Sequence, residues 1–139
     1  MWKLGSMVAL GLLAAVPAVA QSKFADLRGV WKGTSESIIS GVGNSHHAGL
    51  ADNTVKLSSV PFTLTINMED GRRFSGNFAS PRASETIIGV ISNTGAIYIV
   101  SANGYSVATL LGPNQLELCY MQVASFGQVA SCTEFTKQP

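Results

Sequence analysis

The chain has 139 residues, 46% of them apolar and only 12% charged, with a formal net charge of +1. That length is one ordinary domain, the apolar share excludes disorder, and the balanced charge excludes an electrostatic pull toward nucleic acid or an anionic membrane surface. Two cysteines exclude a dense disulfide scaffold and a four-thiolate zinc site.

Residues 1–20 read as a secretory signal peptide. Lys3 supplies the positive start, 7–16 is a short apolar run, and Ala18-Val19-Ala20 is a small-x-small cleavage site. The run is too short for the ~20 residues of a bilayer span. Cleavage leaves 21–139 as a single domain, without Lys3 and with zero net charge. No other stretch is apolar long enough to span a membrane, so the expected home is a periplasm or the cell exterior, where disulfides persist.

The rest of the chain alternates apolar and polar residues with a period of two, punctuated by turn residues, which predicts an all-β domain. The expected strands are 29–39, 62–68, 72–79, 85–92, 96–101, 105–111, 115–123 and 128–136. Residues 24–27 are a candidate for one helical turn. Connections after the second strand are short, which favours consecutive antiparallel pairing. In the hairpin around Glu69-Asp70-Gly71, a three-residue turn with Gly71 left-handed pairs Ile66 with Phe74 and Phe62 with Phe78, keeping the apolar faces together. At the end of the chain, a loop at 124–127 sets Cys119 directly opposite Cys132, close enough for a disulfide. The bridge would contribute about 3 kcal/mol through loop closure. The same register sets Glu117 opposite Glu134, a mild penalty. Eight antiparallel strands with one long connection, 40–61, favour an up-and-down barrel over a sandwich, because closure removes exposed edges.

Gly29-Val30-Trp31 at the head of the first strand resembles the G-x-W signature of lipocalins and avidins. The stretch from Phe62-Thr63-Leu64-Thr65 through Asp70-Gly71 to Gly76-Asn77-Phe78-Ala79-Ser80 is similar to the second hairpin of avidin-type barrels. The resemblance implies a calycin-type barrel in which Gly29 and Trp31 belong to the closed end. It does not imply biotin, since avidin-type sites use several tryptophan walls and Trp31 is the one tryptophan beyond the signal peptide. What carries over is a fold, which by itself assigns no function.

Candidate chemistry is sparse. His46-His47 lies in the Gly-, Asn- and Ser-rich 40–61 connection without a third ligand at metal spacing, so the pair reads as solvated loop residues, and no metal or cofactor is expected. Neither a G-x-S-x-G elbow nor a pair of carboxylates on one face is evident, so no catalytic residue is assigned. Most of the acidic residues fall at predicted turns or outward positions. Arg72-Arg73 and Arg82 fall at opposite ends of a meander and form no common anion site. Tyr98, Tyr105, Tyr120 and Phe78 are candidates to line a cavity, with tyrosine hydroxyls fixing a polar group; the same aromatics would equally serve to pack the barrel shut. Gly76, Gly89 and Ala108 at inward positions mark either empty space or bends of the wall. The 40–61 loop is placed to act as a lid or a contact surface.

Three functions follow as expectations. The first is a non-catalytic barrel binding a small, mainly apolar ligand. The second is a protein-binding module such as an inhibitor of an exported hydrolase, and the third a barrel isomerase or cyclase, which an inward Glu or His beside the tyrosines would favour. Low charge and many β-branched residues also suit homo-oligomers built by packing barrel walls.

Overall fold

The structure, a computed structural model, describes residues 23–139; the expected signal peptide lies outside them. Among the described residues the elements are β1 (Gly29–Gly41), β2 (Lys56–Ser58), β3 (Pro61–Asp70), β4 (Arg73–Ala79), β5 (Ser84–Ile91), β6 (Ile97–Val100), β7 (Tyr105–Gly112), β8 (Gln115–Ala124) and β9 (Gly127–Lys137). Residues 24–27, where a helical turn is expected, run without one. No helix among the described residues is long and apolar enough to cross a membrane.

Every pairing is antiparallel, and β1 pairs with β9 from Trp31↔Lys137 to Gly41↔Gly127, which closes the sheet on itself. On its other edge β1 pairs first with β3 and then with β2. Between them Ser35 N donates to Val60 O at 2.8 Å and Val60 N donates to Ser35 Oγ at 3.1 Å. The short β2 therefore continues the stave begun by β3, and the nine strands make a closed eight-stranded up-and-down barrel. This is the expected fold class, and its architecture is consistent with a calycin-type barrel.

The wall follows from alternation. In β9, Gly127, Val129, Ser131, Thr133 and Phe135 are buried while the residues between them are exposed, as a pleat demands when one face is interior. Val107 pairs with Cys119 and Cys119 with Cys132, and the two cysteines form a disulfide across β8 and β9 with Cα atoms 4.1 Å apart. Glu117 and Glu134 stand opposite each other as expected.

The β3–β4 hairpin corrects its expected register. Gly71 is left-handed (φ 62°), but the turn closes on Asp70↔Arg73, and Ile66 pairs with Gly76 and Leu64 with Phe78. A bulge between Ile66 and Met68 absorbs one residue. A bulge shifts the side-chain phase, so Met68 is half exposed and Glu69 turns toward the barrel. The glycines at inward positions leave no void: a Cβ on Gly89 would stand 2.1 Å from the Phe74 ring, and one on Gly76 would stand 1.9 Å from Thr65 O.

The two barrel ends are closed differently. At one end Trp31 is fully buried, donates from Nε1 to Leu27 O at 2.9 Å and lies under Lys137 Nζ. Residues 23–28 cross this end, pinned by Leu27 N donating to Glu69 Oε1 at 3.2 Å. Gly29 turns the chain into β1 at φ 127°, a conformation open chiefly to glycine. The other end, called the mouth below, is covered by residues 42–55.

Candidate functional site at the barrel mouth

Inward positions change character along the strands. From the Trp31 end toward the mouth, β1 turns inward Trp31, Ser35, Ser37 and Ile39, β9 turns Phe135, Thr133, Ser131 and Val129, and β8 turns Leu116, Leu118, Tyr120 and Gln122. The mouth half therefore carries a belt of hydroxyls and amides, with the paired Ile39 and Val129 buried between that belt and the loop. Ser37 Oγ donates to Ser131 Oγ at 2.8 Å, and Ser35 Oγ lies 3.0 Å from Ser37 Oγ. On β5, Glu85 is in phase with the buried Ile87 and Ile91, so its carboxylate also faces this region.

The 42–55 loop enters the mouth as a tight fold. Gly43 and Ala48 form a β-bridge, and Asn44 N donates to His47 O at 2.8 Å. Asn44 Oδ1 accepts from His46 N and His47 N, and its Nδ2 donates to Gln122 Oε1 at 2.8 Å, which ties the turn to the wall. An Asn carboxamide gathering backbone donors two and three residues on is a local device for tight turns. It carries both imidazoles into the barrel, where they are only 4% and 3% exposed. This corrects the expectation of solvated histidines: a loop is polar on average, but this one is a plug.

His46 packs edge-on against Phe62 and Phe78, with ring centroids 5.4 and 5.7 Å away. Its Nδ1 is 2.8 Å from Ser80 Oγ and its Nε2 is 3.3 Å from Glu85 Oε1. The carboxylate on Nε2 favours the tautomer with the proton there, leaving Nδ1 to accept from the Ser80 hydroxyl. His47 sits between Phe62 at 5.4 Å and Tyr120 at 6.4 Å. The void between loop and wall holds about 10 Å³, room for roughly one water.

Burial is the main electrostatic influence. It lowers His47 to about 4, with the charges of His46 and Arg82 acting in the same direction. It also lowers His46, against the pull of Glu85. Tyr120 is pushed up to about 12, by burial first and then by the Glu85 charge. Both rings are thus neutral near pH 7, and the phenol stays protonated and donates to Gln122 Oε1 at 2.9 Å. His46 Nε2, His47 Nδ1 and Gln122 Nε2 are buried with no hydrogen-bond partner among the described residues, the contact of His46 Nε2 with Glu85 being an ion-pair distance outside hydrogen-bond geometry.

Ser80, His46 and Glu85 lie in the order hydroxyl, imidazole, carboxylate, which is the order of a nucleophilic triad. Ser80 N, however, donates to Ala83 O at 2.8 Å, and Ser80 Oγ already accepts from Arg82 N at 3.3 Å. The serine amide that would be a natural donor to an oxyanion is committed to a turn, and the hydroxyl and carboxylate stand at the two nitrogens of the His46 ring. Among the described residues no three of His, Cys, Asp and Glu gather as a metal site.

Of the aromatic residues singled out by sequence, Tyr120 and Phe78 meet at the mouth, Phe78 stacking on Phe62 at 4.4 Å. Tyr98 and Tyr105 are 48% and 53% exposed. They alternate with the inward Ile97, Ile99 and Ser106, so they stand on the outer wall and not in the barrel interior; there Tyr105 borders a groove of about 380 Å³ with Ile38, Val55 and Met121. Cys119 and Cys132 form the expected bridge, and Gly29 and Trp31 stand at the end opposite the mouth. Sequence reasoning missed Asn44, His46, His47, Ser80, Glu85 and Gln122. The phase of Glu85 with Ile87 and of Gln122 with Leu116 and Leu118 was a usable signal. It also corrects the expectation of outward carboxylates for Glu85, as the bulge does for Glu69. The chain matches no known protein-family model and no curated protein.

Proposed function

We propose that this is an exported, non-catalytic barrel that binds a small molecule at its mouth, with the 42–55 loop as the lid. The observation that carries this reading is the belt of polar side chains beneath the loop, with three buried polar atoms, His46 Nε2, His47 Nδ1 and Gln122 Nε2, lacking hydrogen-bond partners. Leaving such an atom unpaired costs about 1–3 kcal/mol, and a barrel that needed only stability would fill the same space with apolar side chains. Since the closed void admits little more than a water, a ligand enters by displacing the loop. It then meets Phe62, Phe78 and Leu118 as apolar walls, with Tyr120 and Gln122 at its polar edge. The ligand is small and largely apolar in its faces, and the tryptophan walls of a biotin site are not part of this lining. Export rests on the expected signal peptide at 1–20, with the disulfide and zero charge of 21–139 in keeping with a periplasmic or secreted home.

The test is a thermal-shift and native mass-spectrometry screen of the 21–139 chain against small ring compounds. The expected result is a one-to-one adduct that raises Tm by several degrees and shifts the His46 and His47 ring resonances. Stabilisation by no compound, or adducts that leave both rings unmoved, would overturn the reading.

A second reading, contact with another protein, is favoured by the outer wall. Leu57, Ile38, Met121, Tyr105, Val100 and Ile88 form one row through successive registers, bridged by Ala130. Five of the six are 47–77% exposed. The occupant it favours is a second copy, since this face is nearly free of charge and a chain with no net charge does not repel itself. Sedimentation should give a dimer that Leu57→Lys with Ile88→Lys dissociates; a monomer at high concentration removes this reading.

A further inference from the structure

His46 sits on the wall as a ligand sits in a pocket. The ring comes from the loop, while everything it touches belongs to β3, β4, β5 and the turn at 80–83. Phe62 and Phe78 meet it in T-shaped contacts, Ser80 Oγ stands at one ring nitrogen, and Glu85 Oε1 stands 3.3 Å from the other. Each of these groups is fixed without the loop. Phe62 and Phe78 stack on each other, and Ser80 is held by its own turn through Ala83 O and Arg82 N. Glu85 Oε2 accepts from Ala102 N at 3.2 Å, which leaves Oε1 aimed at the ring. Beside this slot His47 occupies a second ring position between Phe62 and Tyr120, with its Nδ1 unpartnered.

We propose that the Phe62–Phe78–Ser80–Glu85 slot is a receptor for a free planar N-heterocycle of one or two rings, and that His46 fills it in cis when that ligand is absent. This deepens the small-molecule reading and rests on it. The slot specifies its guest chemically. A carboxylate turned into a barrel demands a ring N–H, since an acceptor left without a donor there is costly. The serine hydroxyl, which can donate or accept, suits a second ring nitrogen on the far side. Phe62 and Phe78 favour a flat aromatic body. A purely apolar guest would leave Glu85 Oε1 without a donor, and an aliphatic amine would forgo the aromatic contacts. The loop acts as a tethered competitor, so the apparent affinity of the free ligand is reduced by the fraction of time the loop is away.

The experiment compares the wild-type chain with a His46→Ala/His47→Ala variant by calorimetric titration at pH 7.5. The probes are 4-methylimidazole, benzimidazole and indene, the last being the carbocyclic counterpart of benzimidazole. Removal of the competitor should tighten binding of the heterocycles at least tenfold, indene should bind at least tenfold more weakly than benzimidazole, and adding Glu85→Gln should reverse most of the gain. Equal binding of indene and benzimidazole would overturn the heterocycle assignment while leaving a binding barrel standing. No binding of any of the three to a variant with an unchanged near-ultraviolet circular dichroism spectrum would overturn the slot itself, and the broader screen above then decides the parent reading alone. Should the double variant not fold, the wild-type chain is titrated to 100 mM 4-methylimidazole with the two histidine ring protons observed by NMR. Saturable displacement of the His46 signal supports the proposal, and an unmoved signal overturns it.

Discussion

The two halves of this barrel are buried equally and built oppositely. Around Trp31 the interior is Leu27, Leu64, Ile66, Phe74, Ile91, Ile97, Leu116 and Phe135, each at most 3% exposed. At the mouth it is mainly polar: Ser35, Ser37, Gln122, Ser131 and Thr133 with the two imported histidines, each at most 7% exposed, and only the pair Ile39 and Val129 adds apolar β1–β9 surface beneath the loop. Apolar burial is stabilising in proportion to area, whereas a buried hydrogen bond nets only about 1 kcal/mol against the water bonds it replaces. The Trp31 half therefore holds the fold, and the mouth half is free to be shaped for something else. A second difference follows from chain origin. The segment over the Trp31 end leads directly into β1 and brings Leu27 to the core, whereas the plug over the mouth is an excursion from the barrel wall, free to leave while the staves stay paired.

The largest test of this division is cavity formation. Phe135→Ala should lower stability by about 3–5 kcal/mol, read by urea unfolding. At the mouth, Ser37→Ala with Ser131→Ala removes both partners of one hydrogen bond and the Ser37 contact of Ser35 Oγ, which still accepts from Val60 N, so it should change stability by only about 1 kcal/mol. Comparable losses at the two ends would break the comparison.

Acid sharpens it. His47 titrates near 4 in the folded chain against 6.5 for the free side chain, so the folded state binds fewer protons than the unfolded state between those values. Stability is then fully present above about pH 6.5 and is lost as pH falls toward 4, by an amount on the order of 2 kcal/mol after allowance for partial water access. His46 shifts in the same direction. Protonation places new positive charge beside Arg82, although Glu85 holds the His46 ring, so the loop should loosen before the barrel does. Ring NMR titration with His47→Gln as control checks this; a wild-type stability that does not fall from pH 6.5 to 4 would remove the buried, neutral His47 from the account.

The barrel was largely legible because its wall is written in a local code. Alternation located the strands, and the spacing of Cys119 and Cys132 about one turn placed the disulfide. The β3–β4 register was misread because a bulge has little local signature: Asn67 differs in no evident way from a regular strand residue. The mouth was misread for a different reason. Whether His46 faces water or Phe62 depends on contacts from β3, β4 and β8, which no window around 40–61 contains. Yet the polar belt, Ser35 and Ser37 between Trp31 and Ile39 and Thr133 and Ser131 between Phe135 and Val129, was present in the strands, and following each inward face in order along the barrel axis would have found it. Tyr98 and Tyr105 show the converse: their phase on β6 and β7 turns them to the outer wall, which residue type alone does not reveal.

The smallest expected effect is the most specific. Asn44→Ala removes the acceptor shared by His46 N and His47 N and the donor to Gln122 Oε1, none of which takes part in strand pairing. Global stability should fall by only about 1 kcal/mol, because two of the three freed partners are amides that water reaches once the turn opens. Local stability should fall far more visibly. Amide exchange at 44–49 should accelerate about tenfold or more, while β1, β8 and β9 keep their protection, since a region that opens alone exchanges on its own free energy. Accessibility of the mouth to ligand should rise with it, because the fraction of open barrels sets apparent affinity. If instead β8 and β9 exchange faster by the same factor as the loop, plug and barrel open together. The mouth would then be a second core and not a covered site.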